Sequence, residues 1–122
     1  MPIQVTVVDD SRLGRKMILK ALPQGWDAEL TQASNGEEAL SACRAGKADV
    51  VFLDLNMPVM DGYQFLEALG EEAALNPTVF VVSADIQPMA LERVKKLGAK
   101  AFLKKPVDSE EVAAVLCQHQ LL

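Results

Sequence analysis

Cysteine is scarce in this 122-residue chain, which has only Cys43 and Cys117. Two isolated cysteines give no spacing of the kind that binds zinc. Both fall in helical patterns, so they are expected as reduced thiols packed like small apolar residues. Long apolar runs are missing too. None approaches the ~20 residues that a membrane-spanning helix needs. The N-terminus also lacks the basic region and apolar stretch of a signal peptide. The expected compartment is the cytoplasm, with no membrane partner. There is no basic excess either, since 12 Lys and Arg face 17 Asp and Glu, a formal charge of −5. Nucleic-acid binding requires cations to neutralise phosphates, so a direct nucleic-acid partner is not expected. Histidine occurs once, at position 119. It lies where a helix would be ending, a place that suits a cation, and it is expected on the surface. No repeat, linker or low-complexity stretch divides the chain, and its length suits one domain over residues 1–122.

What is present is a fivefold alternation of short apolar runs with longer periodic segments. The runs at about 3–8, 28–32, 49–53, 78–82 and 100–103 read as strands. Those at 50–53 and 79–82 are nearly all apolar, as strands covered on both faces should be. Between them the period is 3.6. Leu13, Met17, Ile18 and Ala21 form one predicted helical face; Ala39, Leu40 and Cys43 form another. Phe65, Leu66 and Leu69 follow, then Leu91, Val94 and Leu97, and finally Val112, Val115 and Leu116. Asn35 with Glu38, Asp61 with Gln64, and Asp108 with Glu111 read as capping boxes. Pro88 suits a first helical position, and Gly46 and Gly98 suit helix ends. Such alternation predicts parallel βαβ units with right-handed crossovers. The expected fold class is α/β, a three-layer (βα)5 doubly wound parallel sheet.

Charged residues close three of the five runs. Asp9-Asp10 follows Val5-Thr6-Val7-Val8, Asp54 follows Val50-Val51-Phe52-Leu53, and Lys105-Pro106 follows Ala101-Phe102-Leu103. Ser83 ends the fourth run. The carboxyl edge of an open α/β sheet is where ligands bind. Carboxylates and an ammonium gathered there suit a divalent cation and a phosphoryl group. Taken singly, Asp9-Asp10 also reads as a helix N-cap, Asp54 as a strand-ending turn acid and Ser83 as a polar loop starter.

In order and spacing, Val8-Asp9-Asp10-Ser11, Asp54-Leu55-Asn56-Met57-Pro58 with Asp61-Gly62, Ser83-Ala84 and Lys105-Pro106 resemble the receiver domain of two-component response regulators. The resemblance covers essentially the whole chain. It implies a flavodoxin-like strand order of 2-1-3-4-5 and a phosphorylatable signalling switch. The phosphoryl group would pass from a sensor histidine kinase or phosphotransfer protein to Asp54. A carboxylate attacks an anionic phosphoryl group only when its charge is neutralised. The resemblance supplies Mg²⁺ or Mn²⁺ for this. Asp10, Asp54 and the Asn56 backbone carbonyl would be direct ligands, and Asp9 would act through water.

Lys105 would pair with a phosphoryl oxygen through a cis Lys105-Pro106 peptide, with Lys104 pointing to the other face. Ser83 would hydrogen-bond the phosphoryl group, and Phe102, otherwise a core residue, would act as its rotamer partner in a switch. Asn56 and Asp85 would tune phosphoryl lifetime, Asp85 by orienting water or by repelling charge. The implied output face comprises the fourth helix, fifth strand and fifth helix, about 88–97, 100–103 and 109–120. It carries Arg93, Lys95, Lys96 and Lys100 against Glu92, Glu110 and Glu111. Ala99-Lys100-Ala101 lacks the acidic pair of symmetric receiver dimers, so a monomer or weak dimer is expected. Catalysis would be confined to the domain's own phosphorylation and dephosphorylation. Two other readings use overlapping residues. One is a haloacid-dehalogenase-type phosphatase, which usually carries its nucleophile after the first strand. The other is a phosphate-independent pseudo-receiver binding module.

Overall fold

The computed structural model describes residues 2–84 and 87–122. Five strands, β1 (Ile3–Val8), β2 (Ala28–Ala33), β3 (Val50–Leu53), β4 (Thr78–Ser83) and β5 (Ala101–Lys104), alternate with five helices. The helices are α1 (Arg12–Ala21), α2 (Gly36–Arg44), α3 (Gly62–Gly70), α4 (Pro88–Lys96) and α5 (Ser109–Gln118). All strand pairs are parallel, in the order β2-β1-β3-β4-β5. This is the expected flavodoxin-like sheet, with β1 and β3 adjacent at the switch point.

Strand alternation divides the core between two faces. Val8, Val51, Leu53, Val79 and Val81 pack on one side with Leu40 of α2, Phe65 and Leu66 of α3, and Val94 of α4. Val5, Val7, Val50, Phe52, Phe80 and Val82 pack on the other with Ile18 of α1 and Val112 and Leu116 of α5. Full burial of each large side chain contributes ~1.5–3 kcal/mol. The central strands therefore hold both helical layers, and a shift of one residue in register would exchange the two faces.

Several local expectations hold. Asp61 and Gln64 form a reciprocal capping box, Pro88 opens α4, and Gly46 and Gly98 take positive φ past helix ends. The other two caps differ. Asn35 accepts from the Glu38 amide, but the Glu38 carboxylate bonds Ser34, not Asn35. Asp108 accepts from the Glu110 amide, one position earlier than a box requires.

Other departures reflect packing. Leu13 and Met17 are 65% and 43% exposed. Only the Ile18–Ala21 side of α1 meets the sheet, so the apolar stripe is wider than the buried strip. Cys43 is buried but Cys117 is exposed. His119 is half-buried instead of lying free on the surface. Its ring meets Phe80 edge-on at 5.2 Å, and its Nδ1 lies 2.9 Å from the Val115 carbonyl. Arg93 stacks over the Tyr63 ring at 4.0 Å and faces Glu67 at 3.7 Å, so it turns toward α3.

Candidate functional site

Backbone hydrogen bonds bring the strand ends level. The Asp9 amide donates to Ala33 and the Asp54 amide to Val8, at 3.1 and 2.9 Å. The Lys105 amide donates to the Ser83 carbonyl at 3.0 Å. The residues that close β1, β3, β4 and β5 thus share one edge. Lys105-Pro106 is cis. Lys105 is half-buried while Lys104 is exposed.

At this edge the Lys105 ammonium bridges two carboxylates. Its Nζ is 2.8 Å from Asp9 Oδ2 and 3.3 Å from Asp54 Oδ1. The Asp9 and Asp54 side chains are 1% and 7% exposed, against 30% for Lys105. Asp9 Oδ1 accepts from the Ser11 amide at 2.9 Å. The Arg15 guanidinium holds the same turn from outside, donating to the Asp9 carbonyl at 2.7 Å and to Gln32 at 2.9 Å. Ser11 caps α1 through the Gly14 amide. Behind Asp54, the Gly62 amide donates to Leu55 at 3.0 Å and draws the start of α3 against the strand.

Burial raises the Asp54 carboxyl above its ordinary range, and the Asp9 charge adds to this, while Lys105 opposes it. Burial also works against the Lys105 ammonium. The hydrogen bond it donates to Asp9 and the charges of Asp54 and Asp9 outweigh it, and its pKa is raised. The ammonium favours Asp9 by distance, so one cation leaves Asp54 incompletely compensated.

Asp9, Asp10 and Asp54 each present a carboxylate oxygen, and these lie within 4.8 Å of one another. Two are buried and one, on Asp10, is exposed. Hard, all-oxygen donors with an open side suit Mg²⁺, which keeps several waters. The fit is one of chemistry and charge, since a cation here would offset the burial, and the smaller repulsion from Asp9, that keep Asp54 raised. Asn56 lies exposed just past Asp54, and Ser83 is buried at the end of β4. Phe102 is half-buried against the cluster containing Val8 and Leu53. Asp85 lies outside the described residues.

Two features of the site escaped the sequence reading. Gly14 passes close under the Asp9 carboxylate. Beside Lys105 a cavity of about 260 Å³ opens between Met17, Ile18, Val82, Pro106 and Val107. A lone glycine inside a helical period was the available signal, because it weakens a helix unless something else needs it.

The comparisons with known proteins agree with this geometry. The family model described as the response regulator receiver domain matches residues 5–116. The chain is 34% identical to a chemotaxis protein CheY of Listeria monocytogenes, covering 93% of this chain and 95% of that protein. It is 37% identical to the positive alginate biosynthesis regulatory protein of Pseudomonas aeruginosa, covering 93% of this chain but 46% of the relative. The chain thus spans under half the length of the first curated relatives it matches. Vibrio cholerae CheY4 superposes over both whole chains with a TM-score of 0.85 at 28% identity. CheY in the CheX-CheY-BeF3-Mg²⁺ complex of Borrelia burgdorferi gives 0.86 at 29%, covering 98% of this chain and 90% of that one. Sheet order, converging charges and these matches together make the chain a member of the response regulator receiver domain family.

Proposed function

We propose that the chain is a phosphorylatable switch whose phosphoacceptor is Asp54. The carrying observation is the Lys105 ammonium, 2.8 and 3.3 Å from two buried carboxylates beside the acidic triad. A partner histidine kinase or phosphotransfer protein presents a phosphohistidine at this edge. An Asp54 oxygen attacks phosphorus, the P–N bond breaks, and the electron pair leaves on the imidazole, giving an acyl phosphate. Phosphoryl transfer rests mainly on positioning and charge stabilisation. Asp10, Asp54 and the Asn56 carbonyl, with Asp9 through water, would hold Mg²⁺ or Mn²⁺, which would neutralise charge on the phosphoryl oxygens. Lys105 exchanges part of its carboxylate pairing for a phosphoryl oxygen, acting as a compact point charge. The Ser83 hydroxyl bonds the phosphoryl group, and Phe102 follows it by packing, as Phe has no hydroxyl to bond elsewhere.

The state then reaches a downstream protein or effector domain through α4, β5 and α5. Asn56 and Asp85 set the lifetime. The domain works in the cytoplasm, over residues 1–122, as a monomer or weak dimer. It performs no chemistry beyond its own phosphorylation and dephosphorylation.

The test is intact-mass measurement after incubation with a small acyl phosphate and Mg²⁺. One adduct of ~80 Da, a single phosphoryl group, is expected, and none with chelator or with Asp54→Asn. An unmodified wild-type mass, or full labelling of Asp54→Asn, would refute the reading.

A further inference from the structure

Gly14 is the third residue of α1. An alanine inside a helix favours folding over glycine by about fivefold in the folding constant. No left-handed φ requires glycine here. The demand comes from Asp9. A methyl group built on Gly14 would lie 2.6 Å from the Asp9 carboxylate carbon and 2.9 Å from Oδ1, with Oδ2 nearer still.

The tip of a side chain usually gives way to such an intrusion, but this one is held on both oxygens. Oδ2 takes the Lys105 ammonium at 2.8 Å and Oδ1 the Ser11 amide at 2.9 Å. The Asp9 backbone is pinned as well, its amide to Ala33 and its carbonyl by Arg15. A methyl at position 14 therefore forces the carboxylate off Lys105, or the first turn of α1 off the sheet. In the first case the ammonium loses the partner that holds it beside Asp54; in the second Asp9 loses the Ser11 amide that fixes its Oδ1 and with it the seat of the ammonium.

We propose that Gly14 is a positioning residue for Lys105. Its bare Cα keeps open the seat from which Asp9 fixes the ammonium 3.3 Å from Asp54. The consequence for phosphorylation rests on the reading of Asp54 as phosphoacceptor; the packing argument does not.

The test is a cycle of four proteins: wild type, Gly14→Ala, Asp9→Ala and the double variant, each unfolded in urea. In the wild-type background Gly14→Ala should weaken folding by roughly tenfold or more, the range for overpacking. In the Asp9→Ala background the obstacle is gone, and the same substitution should strengthen folding by up to about fivefold. The Asp9→Ala pair keeps the test readable even if Gly14→Ala alone does not fold. Equal effects in both backgrounds, or a stabilising Gly14→Ala in the wild type, would overturn the proposal.

A merely structural glycine would not move the second readout, the rate of phosphorylation by a small acyl phosphate with Mg²⁺. Misplacing a reacting group by about 1 Å can cost up to a hundredfold. Gly14→Ala should slow the wild type at least tenfold. An unchanged rate in Gly14→Ala would count against positioning of Lys105. If the wild type takes no phosphoryl group, the reading of Asp54 fails, and the folding cycle still decides the role of Gly14.

Discussion

Replacing Lys105 with methionine keeps most of the stem that packs beside Pro106 but removes the cation. Two buried carboxylates then face each other with Asp10 close by. At an effective dielectric of about 20, unit charges at the observed 2.8 and 3.3 Å attract by roughly 5–6 kcal/mol each. Desolvation of the pair and solvent at the 30% exposed lysine cancel much of this. Breaking one side of a buried pair costs ~3–5 kcal/mol, and the exposure argues for the lower end, ~3 kcal/mol. For a chain of 122 residues this corresponds to a fall of about 12 °C in Tm.

The pH dependence separates charge from packing. The folded pKa of Lys105 lies above its ordinary value, so the ammonium's contribution is complete at neutral pH and fades only as pH rises through that folded value. The Asp54 carboxyl is already raised in the wild type and rises further without the ammonium. The deficit of Lys105→Met should therefore be full at pH 7 and shrink in acid as Asp54 protonates. Mg²⁺ should recover more stability in the variant than in the wild type, because nothing competes with it for the carboxylates. Urea unfolding at pH 7 and pH 3, with chelator and with Mg²⁺, reads all of this. A deficit of equal size at both pH values, indifferent to Mg²⁺, would show that the lysine stem and not its charge supports the site.

Asp54→Asn should stabilise the metal-free protein at pH 7, on the order of 1 kcal/mol, because it removes an acid that burial and Asp9 hold above its usual range. A raised folded pKa means that the penalty is absent below the unfolded value and grows as pH rises, so the gain should fade in acid; thermal unfolding at both extremes checks it. Gly62→Ala should destabilise by ~1–3 kcal/mol despite better helix propensity. Its methyl would lie 2.6 Å from the Asp54 carbonyl oxygen and 2.8 Å from the Leu55 Cα, backbone that cannot step aside; chemical denaturation reads the sign directly. A thiol reagent at pH 8.5 should modify the exposed Cys117 and spare Cys43, whose thiol burial pushes up to about 11. Mass spectrometry should count one label on the native protein and two after denaturation.

Most of the fold was legible because its signals are local. Each strand is a short apolar run, each helix a period, and the ends carry Pro88, Asp61 with Gln64, Gly46 and Gly98. The misplaced details depend on distant partners. Nothing near His119 indicates that Phe80, from the middle of the sheet, will meet its ring at 5.2 Å. Nothing near Arg93 indicates that Tyr63 of α3 will take its guanidinium. The apolar stripe of α1 could not reveal how little of itself the sheet covers: Leu13 and Met17 share the period of Ile18 and Ala21 but not their burial. Glu38 turned to Ser34 because two donors there, amide and hydroxyl, compete for its carboxylate.

The same division runs through the site. Asp9, Asp10, Asp54, Ser83 and Lys105 were legible because each closes a strand, and a parallel sheet sends those ends to one edge. Their pairing was not legible, because it depends on the space around each side chain. By charge alone Lys105 could favour either carboxylate. By geometry it lies 0.5 Å closer to Asp9, the difference between 2.8 and 3.3 Å. Asp9 can take that position because the residue packed under it has no Cβ. On the proposal made for Gly14, the setting of the Asp54 carboxylate depends partly on position 14, in the first turn of a helix that supplies no charged group to the acidic triad. A receiver sequence places its charged groups by where strands end, but how those groups share charge is decided by the packing between them.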